Sequence, residues 1–184
     1  MTEITKITKL PEASEDFILH WGDLGSQWSV NRSVSQIHAL LYISEQPLTA
    51  EDIAETLALA RSNVSNSLKE LLAWNLIRRV PVRNDRRDHF EAETDVWEIA
   101  QRIAAGRKQR EIDPALAALE SCLAKAEDDP KISAEVRKRL RAMHDFTQMA
   151  DRWYTQMLGL SKKKREMLFK LGARISNFLP GGKD

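Results

Sequence analysis

Between residues 61 and 72 the chain interleaves two kinds of side chain. Val64, Leu68, Leu71 and Leu72 recur at helical spacing, and Arg61, Ser62, Asn63, Ser65, Asn66 and Lys69 fill the positions between them. A rotation of about 100° per residue gathers the apolar four on one face of a helix and sets Ser62, Asn66 and Lys69 on the opposite face, with Arg61, Asn63 and Ser65 near its leading end. Amides, hydroxyls and cations on a solvent-facing helix are the groups that read nucleic acid. Asn63 and Asn66 suit adenine edges, Arg61 suits guanine or phosphate, and Ser62, Ser65 and Lys69 suit phosphates. A few residues on, RRVPVRNDRRDHFEAET (78–94) reads as two strands, 76–82 and 89–94, around a polar tip that carries Arg83, Arg86 and Arg87. Asp85 and Asp88 are salt-bridge partners for Arg86 and Arg87, so one arginine is expected to be held in that way and the other to reach a phosphate.

The neighbouring elements are those needed to present such a helix. Thr49 and Asp52 form a capping-box-like start, with Glu51 and Asp52 suited to the positive helix terminus, and Ile53, Ala54 and Leu57 make the buried face. A helix over 33–45 precedes it, with Val34, Ile37, Leu40 and Leu41 inward, and stops before Pro47. Asn75 is placed to end the 61–74 helix in the left-handed conformation. Two short amphipathic helices, a tight turn and an Arg-rich hairpin are the parts of a winged helix-turn-helix, in which one helix enters the major groove and the basic loop lies against the backbone.

Outside this segment the periodicity stays helical. Ser14 is expected to cap a helix with Phe17, Trp21, Leu24 and Trp28 in one stripe, and Gly22 and Gly25 leave room for another helix to approach. Asp95 is expected to cap a helix carrying Val96, Ile99, Ala100 and Ile103. Asp113-Pro114 predicts that this helix kinks or restarts, with Ile112, Leu116, Leu119 and Leu123 as the next stripe. After Asp128-Asp129-Pro130, a helix over 133–158 shows Val136, Leu140, Met143, Phe146, Ala150, Trp153 and Met157. This spacing is close to a heptad seam, so the helix should pack along another, within the chain or across a dimer. A last helix, 161–178, offers Leu168, Leu171, Ile175 and Phe178. Its start, Lys162 to Arg165, reads as a solvated charge run.

A formal net charge of +1 across 184 residues hides a local concentration: from Arg61 to Phe90 there are seven Lys or Arg against three acids. Local charge sets the field that a phosphate feels. Hydrophobic residues at 42% and charged residues at 30% are those of a globular chain, and no apolar run approaches the ~20 residues that cross a bilayer. No membrane contact is expected, the N-terminal stretch does not read as a secretory signal, and the expected address is cytoplasmic. The lone Cys122 lies beside an apolar stripe and is expected to be buried rather than redox-active. His20, His38, His89 and His144 have no metal-ligand spacing and no carboxylate partner that spacing predicts, and no Gly-rich phosphate cradle is present. Neither an enzyme nor a cofactor or metal is expected.

The segment LALARSNVSNSLKELLAWNLIRRVPVRNDRRDHFEAETDVW (57–97) resembles winged-helix transcriptional regulators of the MarR type. More narrowly it is similar to the GbsR branch, regulators associated with glycine betaine metabolism genes. The resemblance rests on RSNVSNSLKELLAW, NDRRDHFEAETD and the REIDPAL segment at 110–116, and extends over about 17–123. It implies a homodimer with interlocking N- and C-terminal helices, with Arg61, Ser62, Asn63, Ser65 and Asn66 as recognition contacts and Asp85, Arg86 and Arg87 as the wing signature. Three positions depart from the pattern. Ala60 replaces a capping Ser, and Asn84 and Asn75 stand where Gly is frequent. The branch also raises a quaternary ammonium effector, since Trp21, Trp28, Trp97, Phe146, Trp153 and Tyr154 lie outside the reading head and aromatic boxes bind such cations. Against it, aromatics at helical spacing are core about four times in five.

The fold expected is therefore mainly α, a winged helix-turn-helix with a two-stranded wing plus N- and C-terminal dimerisation helices. Its expected divisions are an N-terminal dimerisation helix (1–32), the DNA-binding domain (33–95) and a helical dimerisation and effector region (96–184). The function expected is a sequence-specific DNA-binding transcriptional regulator, acting as a repressor relieved by a small-molecule effector. The alternative is a winged-helix protein-interaction module that does not bind DNA.

Overall fold

The computed structural model describes residues 10–172, which divide into two compact units after Arg102. In the first unit, helix α1 (Glu12–Gln27) lies on α2 (Arg32–Ile43) at a separation that two glycines set. A Cβ on Gly25 would stand 1.9 Å from Ser35 Oγ, and one on Gly22 would stand 2.6 Å from Gln36 Cγ. The room foreseen at these glycines is thus occupied by α2. The stripe expected on α1 is displaced as a result. Ile18, Gly22 and Gly25 are the buried positions, Phe17 and Trp21 are half-buried and stacked, and Leu24 and Trp28 are exposed. Closest approach of two backbones favours the smallest side chains, so the buried face centres on glycine rather than on the largest rings. Ser14 does not cap this helix. The helix begins earlier, after Pro11, whose φ of −58° suits a helix start and whose carbonyl accepts from Ser14 N at 2.9 Å.

Helix α2 starts at Asn31, whose side chain accepts from Ser33 N at 2.8 Å, and it buries Val34, Ile37, Leu40 and Leu41 as their spacing predicts. Strand β1 (Leu48–Thr49), α3 (Ala50–Leu57), α4 (Arg61–Ala73), β2 (Ile77–Val82) and β3 (Asp85–Ala92) follow. Ile37, Leu40, Ile53, Val64 and Leu71 are the fully buried side chains at the centre. Each removes an aliphatic side chain from water, worth about 1.5–3 kcal/mol.

The three strands form an antiparallel sheet in the order β1-β3-β2. Two expectations are corrected here. The sheet has a third strand, β1, pairing Leu48 with Phe90 and Thr49 with His89. At two residues it is too short to carry periodicity. The wing tip is also tighter than expected, because β3 begins at Asp85 rather than 89 and Val82 pairs with Asp85 across an Arg83-Asn84 turn. Asn84 takes φ 65° there, and Asn75 takes φ 55° after α4, so asparagine supplies the left-handed geometry at both expected sites. The register breaks between Val80 and Val82, at Pro81, which has no N–H for the ladder.

Helix α5 (Val96–Arg107) crosses the division between the units and is capped as expected, Asp95 Oδ1 accepting from Trp97 N at 3.0 Å. It continues through a π-helical turn, Lys108–Ile112, into α6 (Asp113–Asp128). Pro114 lacks the N–H of a regular α-turn, and the wider π-turn accommodates it without ending the helix. In the second unit α6 packs on α7 (Ala134–Gly159), and α8 (Lys162–Leu171) follows. Arg137 joins the first two by donating to Ala126 O at 2.7 Å and Asp129 O at 2.8 Å. Lys108 bridges Asp113 and, at 2.6 Å, Asp151, and these carboxylates raise its affinity for the proton.

The α7 seam is covered only in part within this unit's described residues: Leu140, Ala150 and Met157 are half-buried, whereas Phe146 is 62% exposed and Trp153 56%, with Val136, Met143 and the neighbouring Met149 also exposed. Cys122 is exposed, contrary to expectation, because it lies on the outer side of α6 while Leu119 and Leu123 turn inward. The basic run at the start of α8 is not wholly solvated either. Arg165 is half-buried and donates to Leu160 O at 2.6 Å. Ile175 and Phe178 lie outside the described residues.

Candidate nucleic-acid interface

The positioning of α4 begins at the start of α3, where a capping box is complete. Thr49 Oγ1 accepts from Asp52 N at 3.2 Å, and Asp52 Oδ2 accepts from Thr49 N at 2.8 Å. Ala58, at φ 50°, then turns the chain into α4. That left-handed alanine has no sequence signal, since the conformation favours Gly or Asn. Helix α4 has no side-chain cap, Ala60 having none to offer.

Val64, Leu68 and Leu71 hold α4 on the core, and Leu72 is half-buried. Asn63 joins them. Its Nδ2 donates to Ser33 Oγ at 2.8 Å and its Oδ1 accepts from Ser67 Oγ at 3.4 Å. It is half-buried and fastens α4 to α2, whereas Arg61, Ser62, Ser65, Asn66 and Lys69 are exposed. Those five make a continuous polar surface over two turns.

On the wing, Arg87 is the tethered arginine. Its Nε lies 3.0 Å from each Asp85 carboxylate oxygen, and its backbone N–H donates to Asp85 Oδ1 at 2.9 Å. The guanidinium holds the Asp85 carboxyl well below the usual carboxylate range, and the carboxylate in turn holds Arg87 charged. His89, buried beneath, places Nδ1 2.9 Å from Arg87 O and Nε2 3.5 Å from Asp85 Oδ2, and His144 Nδ1 lies 3.0 Å from Asp145 Oδ1, so two of the four histidines do face a carboxylate. Asp88 is taken by Arg79 at 3.4 Å, and Arg78 pairs with Glu91. Arg83 and Arg86 are exposed and have no ion pair among the described residues.

Glu51 connects the two surfaces. Its Oε1 stands 3.3 Å from Arg61 Nη2 and its Oε2 stands 3.5 Å from Arg87 Nη1, so the leading end of α4 and the wing meet at one carboxylate. Sequence reasoning assigned Glu51 only to the helix terminus, and no spacing links position 51 to 61 and 87. Of the aromatics proposed for a ligand, Trp21 stacks on Phe17 in the first unit and Trp153 meets Tyr154 edge-on in the second.

This arrangement defines a winged helix-turn-helix domain. The MarR family model matches residues 29–88, the segment from the end of α1 to the wing. A putative HTH-type transcriptional regulator, YvaV of Bacillus subtilis (strain 168), is 21% identical over 92 residues, 50% of this chain. The match spans about half of that relative, 52% of its length. The crystal structure of a transcriptional regulator superposes with a TM-score of 0.62 at 19% identity, covering 80% of this chain and 96% of the other. The MepR–DNA complex of S. aureus aligns over 91% of this chain and 93% of its own at 19% identity, with a TM-score of 0.34.

Proposed function

We propose that the chain is a DNA-binding transcriptional regulator that acts as a homodimer, a reading supported by the match of residues 29–88 to the MarR family model. The observation that carries this is the meeting of the exposed α4 face with the cationic wing. Ser62, Ser65, Asn66 and Lys69 are exposed on the face that would address a groove, Arg61 at their leading end pairs with Glu51, and Arg83 and Arg86 project from a hairpin tied to the same α3 carboxylate. In this reading Ser65 and Asn66 face base edges, Arg83, Arg86 and Lys69 face phosphates, and Asn63 positions the helix from beneath. The exposed part of the α7 seam is the surface a second copy would cover, and a pseudo-palindromic operator calls for two reading heads one helical turn, ~34 Å, apart.

Repression follows if the operator overlaps a promoter, and an effector that favours another spacing would release the DNA in proportion to its preference for that state. A quaternary ammonium compound, the class raised by the GbsR resemblance, is the first effector to test. Footprinting on DNA upstream of the chain's own gene, with anisotropy titrations across a salt series, tests the proposal. Protection of a pseudo-palindrome with a steep salt slope supports it. A monomer in solution, or no binding to duplex DNA even in dilute salt, overturns it.

A further inference from the structure

Among the acids near the α4 face and the wing tip, Glu51 is singular in holding two arginines of the reading surface. Its two oxygens face Arg61 Nη2 at 3.3 Å and Arg87 Nη1 at 3.5 Å, from elements 26 residues apart. Arg61 is otherwise open, its side chain 82% exposed, while Arg87 retains Asp85 whether or not Glu51 is present. The carboxylate therefore presents two anionic oxygens to two guanidinium groups, as a phosphodiester would. A partly exposed pair of this kind is weak, so phosphate can displace it. It is nonetheless a local competitor wherever duplex DNA approaches.

We propose that Glu51 is an autoinhibitory residue that acts as a built-in phosphate surrogate, occupying Arg61 and Arg87 until a DNA backbone replaces it at both. Non-specific duplex, held by phosphates alone, bears the full cost of that exchange. A cognate site offsets it with base contacts along α4 that do not involve Glu51. The carboxylate thus lowers affinity for random DNA and operator by a similar factor, and random DNA, which has no base contacts to add, falls further below the concentrations at which it would bind. Added salt weakens the internal pairs as well as the phosphate contacts, which makes the salt slope of the unmodified protein shallower than its cation count implies.

The inference rests on the DNA-binding reading above, and the test separates the two. Full-length protein, Glu51→Gln and Glu55→Gln are titrated against a random duplex and the footprinted operator by anisotropy across a salt series. Glu55, one turn further along α3, is exposed with no ion pair among the described residues, so it controls for net charge. Glu51→Gln should bind both random duplex and operator about three- to tenfold more tightly at low salt, with a slope steeper by about one and an operator-to-random ratio changed by less than about twofold. Glu55→Gln should move either affinity by less than about twofold. Unchanged or weaker binding of random duplex by Glu51→Gln, or an equal gain in Glu55→Gln, overturns the surrogate role. Failure of the unmodified protein to bind any duplex overturns the DNA-binding reading itself. Equal thermal midpoints for the three proteins would exclude a folding origin of the difference.

Discussion

Acidification should destabilise this protein through one histidine. His38 lies on the inner face of α2, 4% exposed, and its Nε2 is buried with no hydrogen-bond partner. Burial disfavours the imidazolium and lowers the pKa from 6.5 to about 4. The folded state therefore binds this proton less readily than the unfolded chain does, and stability falls wherever the unfolded chain protonates first. Above about pH 6.5 the contribution is intact. Between there and about pH 4 it is lost at a slope approaching ~1.4 kcal/mol per pH unit, and the total is about 3 kcal/mol. That is a large share of the ~5–15 kcal/mol typical of a domain. Urea denaturation of the parent and of His38→Leu, followed by circular dichroism from pH 7.5 to 4.5, isolates the effect. Leucine has a similar volume and no polar atom to leave unpaired, so at pH 7.5 the two proteins should agree within about 1 kcal/mol. Asp85 and Glu93, both held ionised below the ordinary carboxylate range, lose their stabilisation at still lower pH and do so in both proteins. The leucine variant should gain steadily on the parent as the pH drops. Parallel curves over the whole range would show that the imidazole is solvated or paired in the folded state, and would refute the burial argument.

Other consequences are as direct. Gly25→Ala puts a methyl group 1.9 Å from Ser35 Oγ on a buried helix face, and should cost about 1–3 kcal/mol in a denaturant titration, with little change in helix content. Arg86→Ala should reduce the slope of log affinity against log salt by about one and weaken all sequences alike, because this exposed arginine has no ion pair among the described residues. Arg87→Ala should also weaken binding on all sequences and flatten that slope, and it should release Asp85, which would then titrate nearer the ordinary carboxylate range by NMR. Phe146→Glu, on the exposed seam of α7, should convert a dimer to monomer in sedimentation while the far-ultraviolet spectrum is kept.

Much of the first unit was legible because the devices that define it are local. The Thr49–Asp52 capping box, the Asp95 cap and the left-handed Asn75 and Asn84 each involve residues at most three apart, and the chain carries their chemistry within that window. The apolar spacing in α2 and α4 survived for the same reason, since a helix face is set by rotation alone. Features that depend on a distant partner were not legible. Strand β1 exists because β3 returns beside Leu48 and Thr49, and the buried face of α1 follows from where α2 lies rather than from where the rings fall. Asn63 shows the limit at the interface. By type and position it belongs with the base-reading residues, and a Ser 30 residues earlier turns it toward the interior.

The same separation governs the charges. A count of cations over 61–90 shows a basic segment but not which cations are available. In the fold, Arg78, Arg79 and Arg87 are paired with Glu91, Asp88 and Asp85, each within a strand or across one pair of strands, while Arg83 and Arg86 remain open. The three pairings nearest the tip keep cations oriented at little cost in affinity, because short-range partners on a strand move with it. Glu51 differs in kind. It belongs to another element, so the strength of its hold depends on how α3, α4 and the wing sit together, and any displacement of the wing on DNA must break it. An ion pair between elements can thus report the geometry of the whole head, where an ion pair within a hairpin reports only the hairpin.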